Sequence, residues 1–377
     1  MILNKAYSIA LSWLIIFITS CNSIAKKNIK NRNSMNWGIT KISSETGANS
    51  FDYEFNQYFI QDSLTGYIIG DNSIAEMYRS IIEKRVLKRE NYEAILFKTE
   101  DGGGSFRKRS LGKGSLQKIT SDNEKNLYVI QCNYKTATLP KRYRIMYSRD
   151  LGETWQEMAF PQGKKIETVQ FYNGLKGVVA IEEDGMFKLL KTKDGGKTWE
   201  ELPVKETSLN YYSIQFINEE ALYVYNSIGG FRQTATVNFT TGNVKIHNPN
   251  LPKGYQFSSF IKDDSTGSLY SEVSNYKEDH DLMLYNHQTN ELISYNIENS
   301  SEQYIIDVTV SGEYIGLLRA DKGIVSYYYS RDKGENWIRE KMPERLSESY
   351  AAMYGKGLVW VKSAFNLYNL QVRTMDN

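Results

Sequence analysis

The stretch Ser148-Arg149-Asp150-Leu151-Gly152-Glu153-Thr154-Trp155 decides the fold of this chain, because it is repeated. It returns as Thr192-Lys193-Asp194-Gly195-Gly196-Lys197-Thr198-Trp199 and as Ser330-Arg331-Asp332-Lys333-Gly334-Glu335-Asn336-Trp337. A weaker copy is Thr99-Glu100-Asp101-Gly102-Gly103-Gly104-Ser105-Phe106. The shared pattern is Ser/Thr, Asp, Gly and Ser/Thr/Asn at every second place, then an aromatic residue.

Physical chemistry reads this as a turn. A short carboxylate inside a tight turn accepts hydrogen bonds from nearby backbone N–H groups. The glycine supplies a positive φ at no steric cost. The flanking hydroxyls close further local bonds, and the aromatic starts the next strand and packs beneath. Each bond is worth about 1 kcal/mol net. Four similar copies point to structural repetition, whereas a catalytic or metal site needs unlike groups converging once.

The spacing supports a repeat. Gly103 to Gly152 is 49 residues, Gly152 to Gly196 is 44, and Gly196 to Gly334 is 138, three intervals of 46. Two faded copies fill the gap, Asn238-Phe239-Thr240-Thr241-Gly242 and Asn286-His287-Gln288-Thr289-Asn290. Asn at 290 fits, since Asn is the next-best residue for a left-handed turn. A period near 45 residues with short strands points to a propeller or related array. The motif resembles the Asp-box, or BNR, repeat of sialidase-type β-propellers, which also occurs in photosystem II assembly-factor-like propellers and some glycoside hydrolases. The resemblance covers roughly residues 50–375. It implies the fold rather than an activity, because propellers host many unrelated functions.

Four strands fit each period. Inner strands are expected near Glu54, Leu116, Glu167, Tyr212, Gln256, Ile305 and Tyr350, as in Thr168-Val169-Gln170-Phe171 and Ser213-Ile214-Gln215-Phe216. The fold class expected is therefore all-β: a seven-bladed β-propeller of four-stranded antiparallel blades. The last blade has room for three strands only. An isolated segment at Asn36–Ile42, with Trp37 as its aromatic, is expected to supply the fourth and close the ring, which protects free edges. The competing count is six blades with Trp37 in a leader.

The chain has 377 residues, with abundant Tyr (28), scarce Pro (6) and 41% apolar residues, which suits a strand-rich globular protein. A net charge of +2 gives no electrostatic argument for nucleic acid. At the N-terminus, Lys5 precedes an apolar run from Ile9 to Ile18, then Thr19-Ser20-Cys21. This reads as a secretory signal over residues 1–20, too short for a comfortable membrane span. The Ile18-Thr19-Ser20-Cys21 ending resembles a bacterial lipobox, which implies cleavage before Cys21 and lipid on that residue. Several acyl chains give stable anchoring. Residues 21–35 then read as a lipidated tether and 36–377 as the propeller. The expected location is the cell envelope, outside the cytoplasm. Only Cys132 remains, so no intrachain disulfide is expected.

Links between second and third strands, and between blades, should lie opposite the motif turns, and binding residues concentrate on such loops. In the first blade Ile74, Tyr78, Ile81, Ile82 and Val86 fall at helical spacing, so an inserted amphipathic helix is expected over about 74–90. Its polar side carries Arg79, Lys84, Arg85, Lys88 and Arg89. The second blade offers Lys135, Lys141 and Arg142, the fifth an acidic loop at Glu278–Asp281, and the fourth and sixth Arg232 and Arg319. Arg79, Arg85, Arg89, Lys135, Arg142, Arg232 and Arg319 are the candidate partner-binding residues. The alternative is solvated loops and a helix that covers the channel.

No catalytic residue is assigned. A sialidase grips a carboxylate with three arginines, pairs a Tyr nucleophile with Glu, and carries a Phe/Tyr-Arg-Ile-Pro stretch before its first box. Here Tyr143-Arg144-Ile145-Met146 lacks the Pro and runs directly into the second box; Arg144, Arg232 and Arg319 can be imagined as a triad, but any propeller with 15 arginines offers one. Nothing marks the two opposed carboxylates of an endo-acting glycosidase. His247, His280 and His287 show no metal-ligand spacing, and no nucleophile elbow or phosphate loop occurs. The leading expectation is a non-enzymatic, membrane-anchored propeller, a monomer without cofactor, binding a protein or glycan. The second is a sialidase-type glycoside hydrolase.

Overall fold

The computed structural model describes residues 29–32, 37–41, 53–133, 142–161, 163–183, 185–206, 209–226, 231–263, 265–275, 282–295, 297, 303–321, 324–342, 349–363 and 369–374. Cys21, Lys135, Lys141 and the acidic loop at 278–281 lie outside them.

Seven sheets form seven blades, numbered here in chain order. Their inner strands are Glu54–Ile60, Ser115–Ser121, Lys165–Phe171, Leu209–Asn218, Gln256–Lys262, Gln303–Ser311 and Ser349–Tyr354. Each lies against the next, and the seventh lies against the first, so the ring closes. The six-bladed alternative is excluded. In the seventh blade Trp37–Lys41 pairs antiparallel with Asn369–Arg373 and completes the four strands. Ile29–Arg32, within the stretch read as a tether, adds a fifth strand to blade 6, parallel to Trp337–Glu340.

Strands buried on both faces produce no single core. Instead seven hydrophobic clusters form, each shared by two consecutive blades. Between blades 7 and 1, for example, Ile68, Ile95 and Phe97 meet Trp360, Leu370 and Val372. This explains why alternation in the sequence is blurred.

The repeated motif occupies the turn between third and fourth strands in blades 1, 2, 3 and 6. In blade 2 the Ser148 hydroxyl donates to Asp150 Oδ1 (2.7 Å) and accepts from the Gly152 N–H (2.8 Å). Asp150 also accepts from the Thr154 N–H (2.8 Å) and hydroxyl (2.5 Å). The same bonds recur around Asp101, Asp194 and Asp332. The bonds from Thr154 and Ser148 hold the Asp150 carboxyl well below the usual range; Asp194 is brought down to about 2 by its equivalents. At Gly334 φ is 84°, and an added Cβ would stand 2.3 Å from the Tyr295 ring, so backbone and packing both demand glycine. The Trp155 and Trp337 indoles donate to the carbonyls of Gly152 and Gly334 (3.0 and 3.1 Å). Trp199 reaches Ala159 instead (2.8 Å).

The faded copies keep the turn by other means. Asn238 Oδ1 accepts from the N–H groups of Thr240 and Thr241, and Asn286 Oδ1 from those of Gln288 and Thr289. Backbone bonds from Gly242 to Asn238 and from Asn290 to Asn286 close each loop (2.9 Å each). Asn290 takes a φ of 59°.

Candidate functional site

The inner strands enclose an axial cavity of about 720 Å³ to which all seven blades contribute. Its wall begins at mid-strand, at Gln57, Lys118, Thr168, Ser213, Ser259, Asp307 and Ala351, and runs to the strand ends at Gln61, Asn123, Tyr172 and Lys262. Those ends lead into the first-to-second-strand turns. The motif turns sit beside them, as the bonds Gly102 N to Leu64 O (2.8 Å), Gly195 N to Leu175 O (2.9 Å) and Lys333 N to Glu313 O (2.8 Å) show. The cavity therefore occupies the half of the axis toward the motif rim.

A recurrent defect shapes the wall. The pairing of inner and second strands shifts register in blades 1 to 6, at Phe55/Gln57, Leu116/Lys118, Ile166/Thr168, Asn210/Ile214, Phe257/Phe260 and Ile305/Asp307. Bulges of this kind re-aim side chains. Gln57, Lys118, Thr168 and Asp307 come directly after theirs and line the cavity. Gln57 uses its amide as a surrogate strand, donating to Ile119 O (3.2 Å) and accepting from Ile119 N (2.9 Å). Asn56 donates to Ser115 Oγ (3.0 Å) and Leu116 O (2.7 Å), and Thr120 to Val169 O (3.3 Å).

Two ionisable groups on the wall are strongly perturbed. Burial pushes the Lys118 ammonium down to about 8, against the attraction of Glu167. Burial pushes the Asp307 carboxyl up to about 7, against the hydrogen bond from Val308 N–H (2.9 Å), with nearby Glu272 adding to the rise. Asp307 is half-buried on the cavity wall. Lys262 donates to Asn123 Oδ1 (3.2 Å), a strut from blade 5 to blade 2 across the axis.

The expected binding residues are placed differently. The inserted helix, α1, spans Ser73–Ile82, shorter than the expected 74–90, and Lys84 at φ 52° follows its end. It is turned inside out relative to the expectation: Ser73, Ala75, Glu76 and Ser80 are buried, while Met77, Tyr78, Ile81 and Ile82 are exposed. On the inward side the Glu76 carboxylate takes Arg79 and Arg85 at 2.9 Å each. Burial raises its pKa, but the Arg85 and Arg79 guanidinium groups outweigh that and lower it overall. Arg79 and Arg85 are thus both paired with Glu76, the Arg79 side chain remaining 61% exposed, and Arg89 lies exposed in the turn Arg89–Asn91.

Arg142 pairs with Glu157 (2.6 Å), and Arg232 donates to the carbonyls of Leu251 and Pro252 (2.9 Å each). Arg319 is not on the loop face at all. It is 2% exposed, donates to Ile297 O, and lies 5.7 Å from the Tyr328 ring centre. Arg144, Arg232 and Arg319 sit on different blades, and among the described residues no arginine lines the axial cavity. Cys132 is buried, and among the described residues no three His, Cys, Asp or Glu side chains are grouped to hold a metal. The sequence reading missed Lys118 and Asp307. The available signal was the polar residue at matching places in Thr168-Val169-Gln170 and Ser213-Ile214-Gln215.

No protein-family model matches the chain, and no curated protein sequence matches it. Solved structures do. YCF48 bound to D1 peptide superposes with a TM-score of 0.57 at 13% identity, over 94% of this chain and 100% of that one. The β-propeller domain of the Trilobed protease from Pyrococcus furiosus gives 0.52 at 9% identity, over 86% and 96%. At such identities the likeness is one of fold.

Proposed function

We propose that this protein is a non-enzymatic scaffold that binds a segment of a protein partner in its axial cavity. It works outside the cytoplasm, held to a membrane by lipid on Cys21. The observation that carries the reading is the cavity itself: about 720 Å³, walled by all seven inner strands and polar. Concave sites with a few convergent polar groups are the default binding sites of folded proteins. Lys118, on blade 2, offers a cation to a peptide's carboxylate, and Asp307, on blade 6, offers a carboxyl that burial keeps protonated up to about pH 7 and so able to donate a hydrogen bond. YCF48, a propeller of this fold, has been solved with a peptide bound, which supports the same class of partner here. A sialidase-type site would need three converging arginines, and among the described residues none lines the cavity.

Ser259 is an exposed wall residue and tolerates a probe. A photoreactive residue at 259, in the lipidated protein in its native envelope, should crosslink one discrete protein that a probe at Lys197 does not. Ser259→Trp should abolish co-purification of that protein without lowering the melting temperature. Capture unchanged by Ser259→Trp would remove the cavity from the reading. Turnover of a sialoside by the purified protein would replace it with the enzyme.

A further inference from the structure

Among the described residues eleven large hydrophobic side chains are exposed, and six of them lie between 77 and 87. Met77, Tyr78, Ile81 and Ile82 form an apolar ridge on the helix, continued in the chain by Val86 and Leu87, with Ile82 and Val86 78% and 80% exposed. A helix that buries Glu76 and Ser80 while exposing two isoleucines inverts the usual arrangement, and contiguous exposed apolar surface marks an interaction site. The ridge lies on the face opposite the cavity mouth. It follows the second strand Gly66–Asp71, whose last residue pairs with Glu54 at the far end of the inner strand.

Basic groups surround it. Arg79, Lys84, Lys88 and Arg89 are exposed among the apolar residues and outnumber the exposed Glu83 and Glu90, although Lys88 stands 3.9 Å from Glu90 and Arg79 2.9 Å from Glu76. Lys113 joins them, because its ammonium reaches Asn91 O (3.4 Å). A helix with apolar residues on one side and Lys/Arg beside them is the pattern of an interfacial membrane element. We infer that this ridge docks on an anionic bilayer surface, with the isoleucines among the acyl chains and the basic residues at the phosphates. The occupant follows from charge complementarity and from chain reach. Ile29 joins the ring beside Trp337, at the motif rim of blade 6. The eight residues from Cys21 to Ile29 span about 26–29 Å at full extension, and a seven-residue strand is about 24 Å long. With that segment fully drawn out, a lipid on Cys21 reaches the level of the strand ends from which the ridge rises, leaving the cavity open to the opposite side. The inference rests on the membrane reading above but not on the cavity.

The test uses the full chain in vesicles, with an environment-sensitive fluorescent amino acid at position 82 and, separately, at 197. On vesicles of phosphatidylethanolamine and phosphatidylglycerol, brominated acyl chains should quench the probe at 82 and not that at 197. Lys88→Gln with Arg89→Gln should lower the ratio of immersed to free ridge about 30-fold, a factor of about five for each basic residue near an anionic surface. Equal quenching on phosphatidylcholine would overturn the inference, as would none on the anionic vesicles. Shielding of the probe at 82 without vesicles, together with sedimentation as a dimer, would assign the ridge to a second copy instead. Loss of partner capture in Ser259→Trp with intact quenching would show the two readings to be separate.

Discussion

At the scale of single residues, Asp307 makes the most exacting claim. Its carboxyl has an ordinary value of 3.8 and is raised by burial to about 7. The folded state then holds the proton more tightly than the unfolded chain between those values, so stability falls as pH rises through that window. Ionised Asp307 is a cost above pH 7, and removing the charge should be a gain. Asp307→Asn should stabilise the protein by up to about 4 kcal/mol at pH 8, with the gain shrinking from pH 7 to pH 4 and absent below. Melting curves across that range measure it; a gain independent of pH would mean that packing, not charge, is responsible. The motif aspartates were legible in the sequence because every bond that fixes them closes within four residues. Asp307 was not. Ile305-Ile306-Asp307-Val308 reads as a strand whichever side the Asp faces, and the bulge at Ile305/Asp307 decides it. A one-residue slip sends every later side chain to the other face.

At the scale of elements, α1 separates what periodicity tells from what it cannot. The 3.6-residue pattern was visible, and a helix is there. Which side faces inward was not visible, because it depends on neighbours brought together by the fold. Here the inward side is held by Glu76 with Arg79 and Arg85. This arrangement predicts an inverted mutational response. Glu76→Gln weakens two charge-assisted bonds at a buried position and should cost about 1.5–3 kcal/mol. Ile82→Asp alters an exposed side chain and should change stability by about 0.5 kcal/mol or less. Urea denaturation of the two variants decides the matter. A large loss for Ile82→Asp with none for Glu76→Gln would mean that the apolar side packs inward after all. The closing strand shows the opposite case: the missing strand of the last blade and the lone segment at Trp37 were both countable in the sequence, and the count was enough to join them.

At the scale of the molecule, seven interblade cores depend on a ring whose ends meet at one seam. Arg373 and Glu340, on blades 7 and 6, are buried and form a two-point pair at 2.8 and 3.1 Å. The guanidinium lies 5.0 and 4.9 Å from the ring centres of Tyr327 and Tyr329, and its Nη1 donates to Gly357 O (2.8 Å). Trp37, from the closing strand, donates to the same carboxylate (3.2 Å) and packs edge-on to Tyr327. Three segments far apart in sequence thus share one buried charge pair. Taking one partner away leaves the other charge without its complement, at a cost of about 3–5 kcal/mol, whereas apolar replacement of both is often near neutral. Glu340→Ala should therefore lower the unfolding free energy by that amount, and Glu340→Leu with Arg373→Leu should recover most of it. Because each blade is covered only by its two neighbours, an opened seam exposes the blade faces on both sides, and Glu340→Ala should unfold the ring as one unit. Separate transitions for blades 6–7 and the remainder would show that the other five blades stand without closure. A double variant as unstable as the single one would show that the charge pair, and not the apolar surface around it, holds the seam.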